Sequence, residues 1–269
     1  MNDMLELLLP IFGFLIGIIA SMTGIGGGAF IVPLLTLSYS FVPANAVGTS
    51  LTSIIFTAAA STLNYARQKR IYYKTGLVLA IVTAPGAILG AKITEYLSPK
   101  LLGLIFGFFL IFIALRMIID TALFKRNQPT TGEKPKQPHV KSDLEILKSG
   151  RTIALGAFMS FFGGLASGLL GIGGGVLVVP IMVFAMGFSM HFATATSMFT
   201  MIFTSISGVT EHYFANHINL EFALLLALGT VFGAQIGAYT SKKVSGKNLR
   251  KIFGIVLIVV SIQMILKYI

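Results

Sequence analysis

Apolar residues run along this chain in blocks of about 20, separated by short polar stretches, which is the length a helix needs to cross a bilayer core. The blocks are Leu5–Thr23, Pro43–Asn64, Gly76–Tyr96, Leu101–Ile119, Thr152–Leu170, His191–His212, Leu220–Tyr239 and Leu249–Tyr268. Two shorter apolar runs, Ala29–Ser40 and Val176–Phe188, follow glycine-rich phrases. The pattern predicts an all-α polytopic membrane protein with about 8–10 transmembrane or re-entrant helices.

Composition supports that reading. Of the 269 residues, 55% are hydrophobic and 11% charged, against about 25% charged in soluble domains. The formal charge of +11 raises nucleic acid as a partner, but the basic residues sit in short loops between apolar blocks. Positive-inside bias accounts for that distribution, so no nucleic acid is expected. The chain has no cysteine, which removes disulfides, thiolate metal sites and cysteine nucleophiles. No span carries paired acids, a His-rich cluster or a Ser–His pair, so no enzyme, metal or cofactor is expected. The start has Asp3 and Glu6 but no Lys or Arg; Leu5–Thr23 reads as a retained membrane segment rather than a cleaved signal.

The chain repeats itself. "GIGGGAFIVP" at 24–33 returns as "GIGGGVLVVP" at 171–180, an offset of 147 positions. The same register pairs Ala46 with Ala193, Thr49 with Thr196, Ser50 with Ser197, Thr57 with Thr204, Thr83 with Thr230, Gly86 with Gly233 and Gly90 with Gly237. Residues 1–120 and 151–269 therefore read as two membrane repeats. The Lys-, Pro- and Thr-rich stretch 121–150 reads as a basic cytoplasmic linker, with 142–149 a candidate surface helix. Loop charge alternates between the halves. Residues 65–74 hold Arg67, Lys69, Arg70 and Lys74, whereas 211–221 holds Glu211 and Glu221 without Lys or Arg. Conversely 242–251 is strongly basic and 95–104 is not. Placing basic loops inside puts equivalent loops on opposite faces, so the repeats are expected to have inverted topology with the N-terminus outside. Each half then crosses an odd number of times: five crossings, slightly favoured, or three plus a re-entrant hairpin at the glycine phrase.

Glycine and proline break helices, and a break within the membrane leaves amide N–H groups that must be paired or line a wet cavity. Such amides suit an anion. Gly26, Gly27, Gly28, Gly173, Gly174 and Gly175 are thus candidate substrate-binding residues, with Pro33 and Pro180 reinforcing the breaks. Gly86–Gly90 and Gly233–Gly237 read instead as close helix packing. Thr49, Ser53 and Thr57, like Thr196, Thr200 and Thr204, form a polar stripe on one helix face. Thr49, Ser50, Thr196 and Ser197, with Asn45 near a helix start, join the candidate site. No Lys or Arg lies in mid-span, so dipoles and hydroxyls would hold the anion. His191, Glu211 and His212 are the candidates for proton coupling, and Tyr72 and Tyr73 look like interfacial anchors.

The doubled "GIGGG…VP" phrase, each copy followed by a Thr-Ser helix start, resembles the TauE/SafE sulfite-exporter family, also called the sulfonate uptake permeases. The resemblance covers nearly the whole chain outside 121–150 and carries over Gly24, Gly26, Gly27, Gly28 and Pro33 with Gly171, Gly173, Gly174, Gly175 and Pro180. It implies a plasma-membrane carrier of a small sulfur-containing anion such as sulfite, thiosulfate, sulfoacetate or another sulfonate, working as a secondary transporter. A passive anion channel and an accessory membrane protein are the rival readings. Bulky residues at Gly27 and Gly174 are expected to abolish transport while insertion persists.

Overall fold

A computed structural model describes residues 6–126, 150–241 and 246–269. The candidate surface helix and most of the basic linker fall outside these residues.

Among the described residues the chain forms ten α-helices and no strand. In the first half they are α1 (Leu9–Thr23), α2 (Gly28–Pro33), α3 (Pro43–Arg67), α4 (Tyr73–Tyr96) and α5 (Pro99–Arg126). The second half repeats them as α6 (Gly150–Leu170), α7 (Gly175–Pro180), α8 (Met190–Phe214), α9 (Leu220–Thr240) and α10 (Gly246–Tyr268). The expected apolar blocks are recovered to within a few residues, although α5 runs past the expected linker start at 121. The segments Pro43–Arg67, Tyr73–Tyr96, Thr152–Leu170, Met190–Phe214 and Leu220–Thr240 are long and apolar enough to cross a membrane. The protein is a multi-pass membrane protein.

Local chemistry sets the breaks. Gly24, φ 76°, caps α1 in the left-handed conformation, its N–H bonding Ala20 O. Gly26 and Gly27 follow at φ 92° and 95°, and Gly171, Gly173 and Gly174 repeat the geometry at 68°, 77° and 79°. Side-chain-bearing residues rarely adopt these angles, which is why the phrase is written in glycine. Pro33 and Pro180 lie inside their helices rather than starting new ones. A proline cannot supply the i→i−4 bond, and the ladder widens into π-helical turns at Leu34–Ser38 and Ile181–Ala185.

The breaks reverse the chain. A Cβ on Gly163 would meet Val178 and Leu177, and one on Gly156 would meet Met186, so α7 runs back along α6. A Cβ on Gly27 would meet Ile16 and Ala20, which closes α1 and α2 in the same way. These are helical hairpins.

Packing between the halves is close and reciprocal. Helix α1 lies parallel to α9, Gly13 beside Leu226 and Gly17 beside Thr230, with Ser21 Oγ donating to Ala234 O at 3.0 Å. Helix α6 lies parallel to α4, Gly86 against Phe161 and Gly90 against Leu165. Gly233 and Gly237 meet Phe14 and Ile18 in the same fashion, so these glycines serve backbone approach, as expected. The equivalent helices α3 and α8 run antiparallel: Gly48 touches His212, and Leu51 touches Gly208. So do α5 and α10, with Gly103 beside Tyr268 and Gly107 beside Ile265. Following these directions places the 65–74 turn, the start of α6 and the end of α9 at one end, called here the basic end. The 95–104 and 211–221 turns lie at the far end.

Candidate functional site

The two hairpins meet tip to tip between α3 and α8. Ser50 Oγ on α3 donates to Gly171 O at 2.8 Å. Ser197 Oγ on α8 donates to Gly24 O at 3.1 Å. Each bond is the other displaced by the repeat offset. A second reciprocal pair flanks them, Thr49 Oγ1 accepting from Asn219 N at 3.0 Å and Thr196 Oγ1 from Tyr72 N at 3.1 Å. All four hydroxyl residues are buried. The duplicated Thr-Ser pair thus ties each long helix to the opposite half.

The glycines divide by what they face. Gly28 and Gly175 face the other hairpin: a Cβ there would strike Gly171 O and Gly24 O respectively. Gly26 and Gly173 face the Met201 thioether of α8, which with its repeat equivalent Ile54 fills the space between the tips. Gly27 and Gly174 face their own hairpins, the former against Ile16 and Ala20, the latter 3.2 Å from Gly163 O. In this conformation the tips are joined, and the serine hydroxyls are held by carbonyls.

Replacing Ser50 or Ser197 by alanine strips a buried carbonyl of its donor, a loss of about 1 kcal/mol for each bond. Each single variant is expected to lower the unfolding temperature in detergent slightly, and the double variant to lower it additively.

The other sequence candidates lie apart from the tips. Asn45 is half-buried near the start of α3. His191 is exposed at the basic end, where its carbonyl accepts from Arg70 Nη2 at 3.3 Å. Glu211 is half-buried near the end of α8, beside the fully buried His212. Of the stripe residues, Thr204 Oγ1 lies 2.7 Å from Thr83 Oγ1, and Thr57 bonds back to Ser53 O at 3.1 Å. The Ser53 hydroxyl is buried with no hydrogen-bond partner.

A polar network at the basic end escaped the sequence reading. Arg70 is only 7% exposed and donates through Nη1 to Gln68 Oε1 and Ser241 Oγ, each at 2.9 Å. Its guanidinium lies 5.1 Å from the Tyr65 ring centre. Gln68 and Asn64 continue the network to Ala238 O and the Gln235 side chain. The recorded partners of Arg70 are neutral, so the side chain acts as a buried clip between turns. Arg70→Met orphans three acceptors and is expected to cost about 2–3 kcal/mol, read as a fall in unfolding temperature. The available signal was Gln235, a polar residue where the first half has Ile88.

Duplicated halves, opposed hairpins broken by glycine and a polar seam inside an apolar bundle define a membrane transporter. The chain belongs to the TauE/SafE sulfite exporter family, whose model matches residues 9–264. It is 34% identical to the probable membrane transporter protein YunE of Bacillus subtilis over 96% of both chains. A probable membrane transporter protein of Methanocaldococcus jannaschii is 30% identical over 96% of this chain and 95% of its own. One from Xylella fastidiosa is 27% identical over 94% and 92%. No solved structure matches.

Proposed function

We propose that this protein is a secondary transporter that moves a small sulfur-containing anion, such as sulfite, sulfoacetate or another organosulfonate, by alternating access. Residues 1–120 and 151–269 act as inverted repeats, each hairpin rooted at one membrane face with its tip near the midplane. The reciprocal Ser50–Gly171 and Ser197–Gly24 bonds carry this reading, because they join the packed group α1, α2, α3 and α9 to the group α4, α6, α7 and α8. Rocking of one group against the other breaks and remakes them. Antiparallel packing of α3 on α8 and of α5 on α10 supports the inversion. The basic end faces the cytoplasm, the N-terminus lies outside, and the membrane is the plasma membrane.

The joined tips are the occluded form. When they part, the first amides of α2 and α7, at Gly28 and Gly175, lack intrahelical acceptors, as do the glycine amides before them. The anion takes these amides together with the hydroxyls of Ser50 and Ser197, which exchange a carbonyl for the cargo, while Thr49, Thr196 and Asn45 line the approach. Such a site holds no fixed cation and lets its cargo go. Its test is a binding and counterflow screen of the purified protein against sulfite, thiosulfate, sulfoacetate, taurine and carboxylates. Saturable counterflow of one class is expected, with bulky residues at Gly27 or Gly174 abolishing it. Conductance without saturation indicates a channel instead, and absence of any anion binding rejects transport of this class.

A further inference from the structure

Repeat equivalence exposes an asymmetry behind the two hairpins. Tyr65 Oη donates to Ser21 O of α1 at 2.7 Å, and Arg70 covers the Tyr65 ring. At the offset of the repeat Tyr65 becomes His212, Ser21 becomes Gly168 and Arg70 becomes His217. The contacts persist while the chemistry changes. His212 Nε2 lies 2.9 Å from Gly168 O of α6, and His212 Nδ1 lies 3.4 Å from His217 Nδ1. A carbonyl only accepts, so His212 Nε2 carries a hydrogen. In the neutral pair His212 Nδ1 is then an acceptor, and the hydrogen between the rings belongs to His217 Nδ1.

His212 is fully buried, whereas His217 is half-buried in the turn at the far end. Helix α6 presents the pair with the Gly168 carbonyl, and α3 presents the backbone of Gly48. The Glu95 carboxylate at the end of α4 acts on His217, and Glu211 precedes His212 on α8. Burial pushes the His217 imidazole below its usual range, and Glu95 works in the opposite direction.

We infer that His212 and His217 form a two-histidine proton relay, loaded from the far end, that couples proton movement to anion transport. A proton binds His217 Nε2, and the hydrogen on His217 Nδ1 passes to His212 Nδ1. His212 is then an imidazolium with hydrogens on both nitrogens, and His217 is neutral again with its hydrogen on Nε2. No bond other than N–H changes, and no electrons are transferred. The charge comes to rest on α8 against Gly168 O, about one helical turn from the Gly171 tip, beside a hairpin whose glycine phrase has no Lys or Arg. When the tips part toward the basic end, water takes the hydrogen from His212 Nδ1. His217 regains its Nδ1–H form by exchanging its Nε2 hydrogen with water at the far end, so a monoanion at the tips and one proton cross together as a neutral pair. Tyr65 cannot do the same at the basic end, so the two hairpins are held alike but only one answers to protons.

The inference rests on the carrier reading above. Its test uses the full chain in proteoliposomes with isethionate, a monovalent sulfonate, as probe. One proton per anion converts a one-unit pH gradient into about a tenfold accumulation. His212→Gln keeps an N–H for Gly168 O but does not titrate, and is expected to bring the accumulation ratio to about one. His212→Tyr, which copies the chemistry of the equivalent Tyr65, is expected to do the same. Accumulation that survives in both variants overturns the relay. Wild-type counterflow with no response to the gradient overturns the relay and leaves the carrier reading standing. If the wild type moves no isethionate, 15N-histidine NMR of the chain in nanodiscs decides, since the sequence has four histidines. Joint titration of His212 and His217, with the His212 midpoint displaced in His217→Gln, supports the relay; independent titration refutes it.

Discussion

Gly28→Val and Gly175→Val are each expected to abolish transport while the protein still inserts and purifies. A Cβ at Gly28 is driven into the Gly171 carbonyl and lies 2.7 Å from Ile172 Cα. One at Gly175 meets Gly24 O and the Met201 methyl. These are mostly backbone atoms, which cannot swing aside as the end of a side chain can. Overpacking of this kind costs about 3 kcal/mol, or roughly a hundredfold in the population of joined tips. No backbone atom of α3, α4, α8 or α9 is struck, only the flexible Met201 side chain and the Ser197 hydroxyl on α8, so folding continues. Counterflow of the anion selected by the binding screen, normalised to monodisperse protein, measures the effect. Gly187→Ala is the control: Gly187 also has a positive φ, 75°, but a Cβ there meets nothing within 4 Å. It is expected to transport nearly as the wild type does. If the Gly28 and Gly175 variants also transport normally, the tips do not need to meet.

Gly90→Leu and Gly237→Leu are expected to fail earlier, at assembly. Gly90 packs α4 on α6, its Cβ position 2.9 Å from Leu169 N. Gly237 packs α9 on α1, 2.9 Å from Ile18 Cα. Without those approaches the parallel pairs α4–α6 and α1–α9 must separate along their whole contact, not at one point. The loss is expected to exceed about 3 kcal/mol. It should appear as a fall in unfolding temperature and aggregation on gel filtration, before any transport assay. The two sets of variants thus separate glycines that form a site from glycines that form an interface.

The ten α-helices among the described residues were legible because each is bounded by a physical signal on its own stretch of chain: apolar length, a turn charge, a glycine run or an internal proline. The repeat was legible because both copies kept a phrase that only glycine can adopt, at φ values from 68° to 95°. The sorting of Gly86, Gly90, Gly233 and Gly237 into packing also followed from spacing alone.

What lay beyond the sequence was which atoms meet across the halves. Thr49, Ser50, Thr196 and Ser197 were picked out as a group, but their partners are a carbonyl or an amide about 120 to 170 positions away. No local pattern encodes that distance. Tyr65, Arg70 and His217 were not singled out as site residues because each, alone, is an ordinary residue near a helix end. The repeat offset makes Tyr65 with Arg70 the counterpart of His212 with His217, but only the structure shows that each pair holds the equivalent carbonyl. The sequence by itself determined the helices, their breaks and the duplication, since these depend on backbone freedom and apolar length within one segment. The tertiary structure alone decided that the breaks are hairpin tips meeting in a buried seam, because that contact exists only once two distant halves are packed against each other.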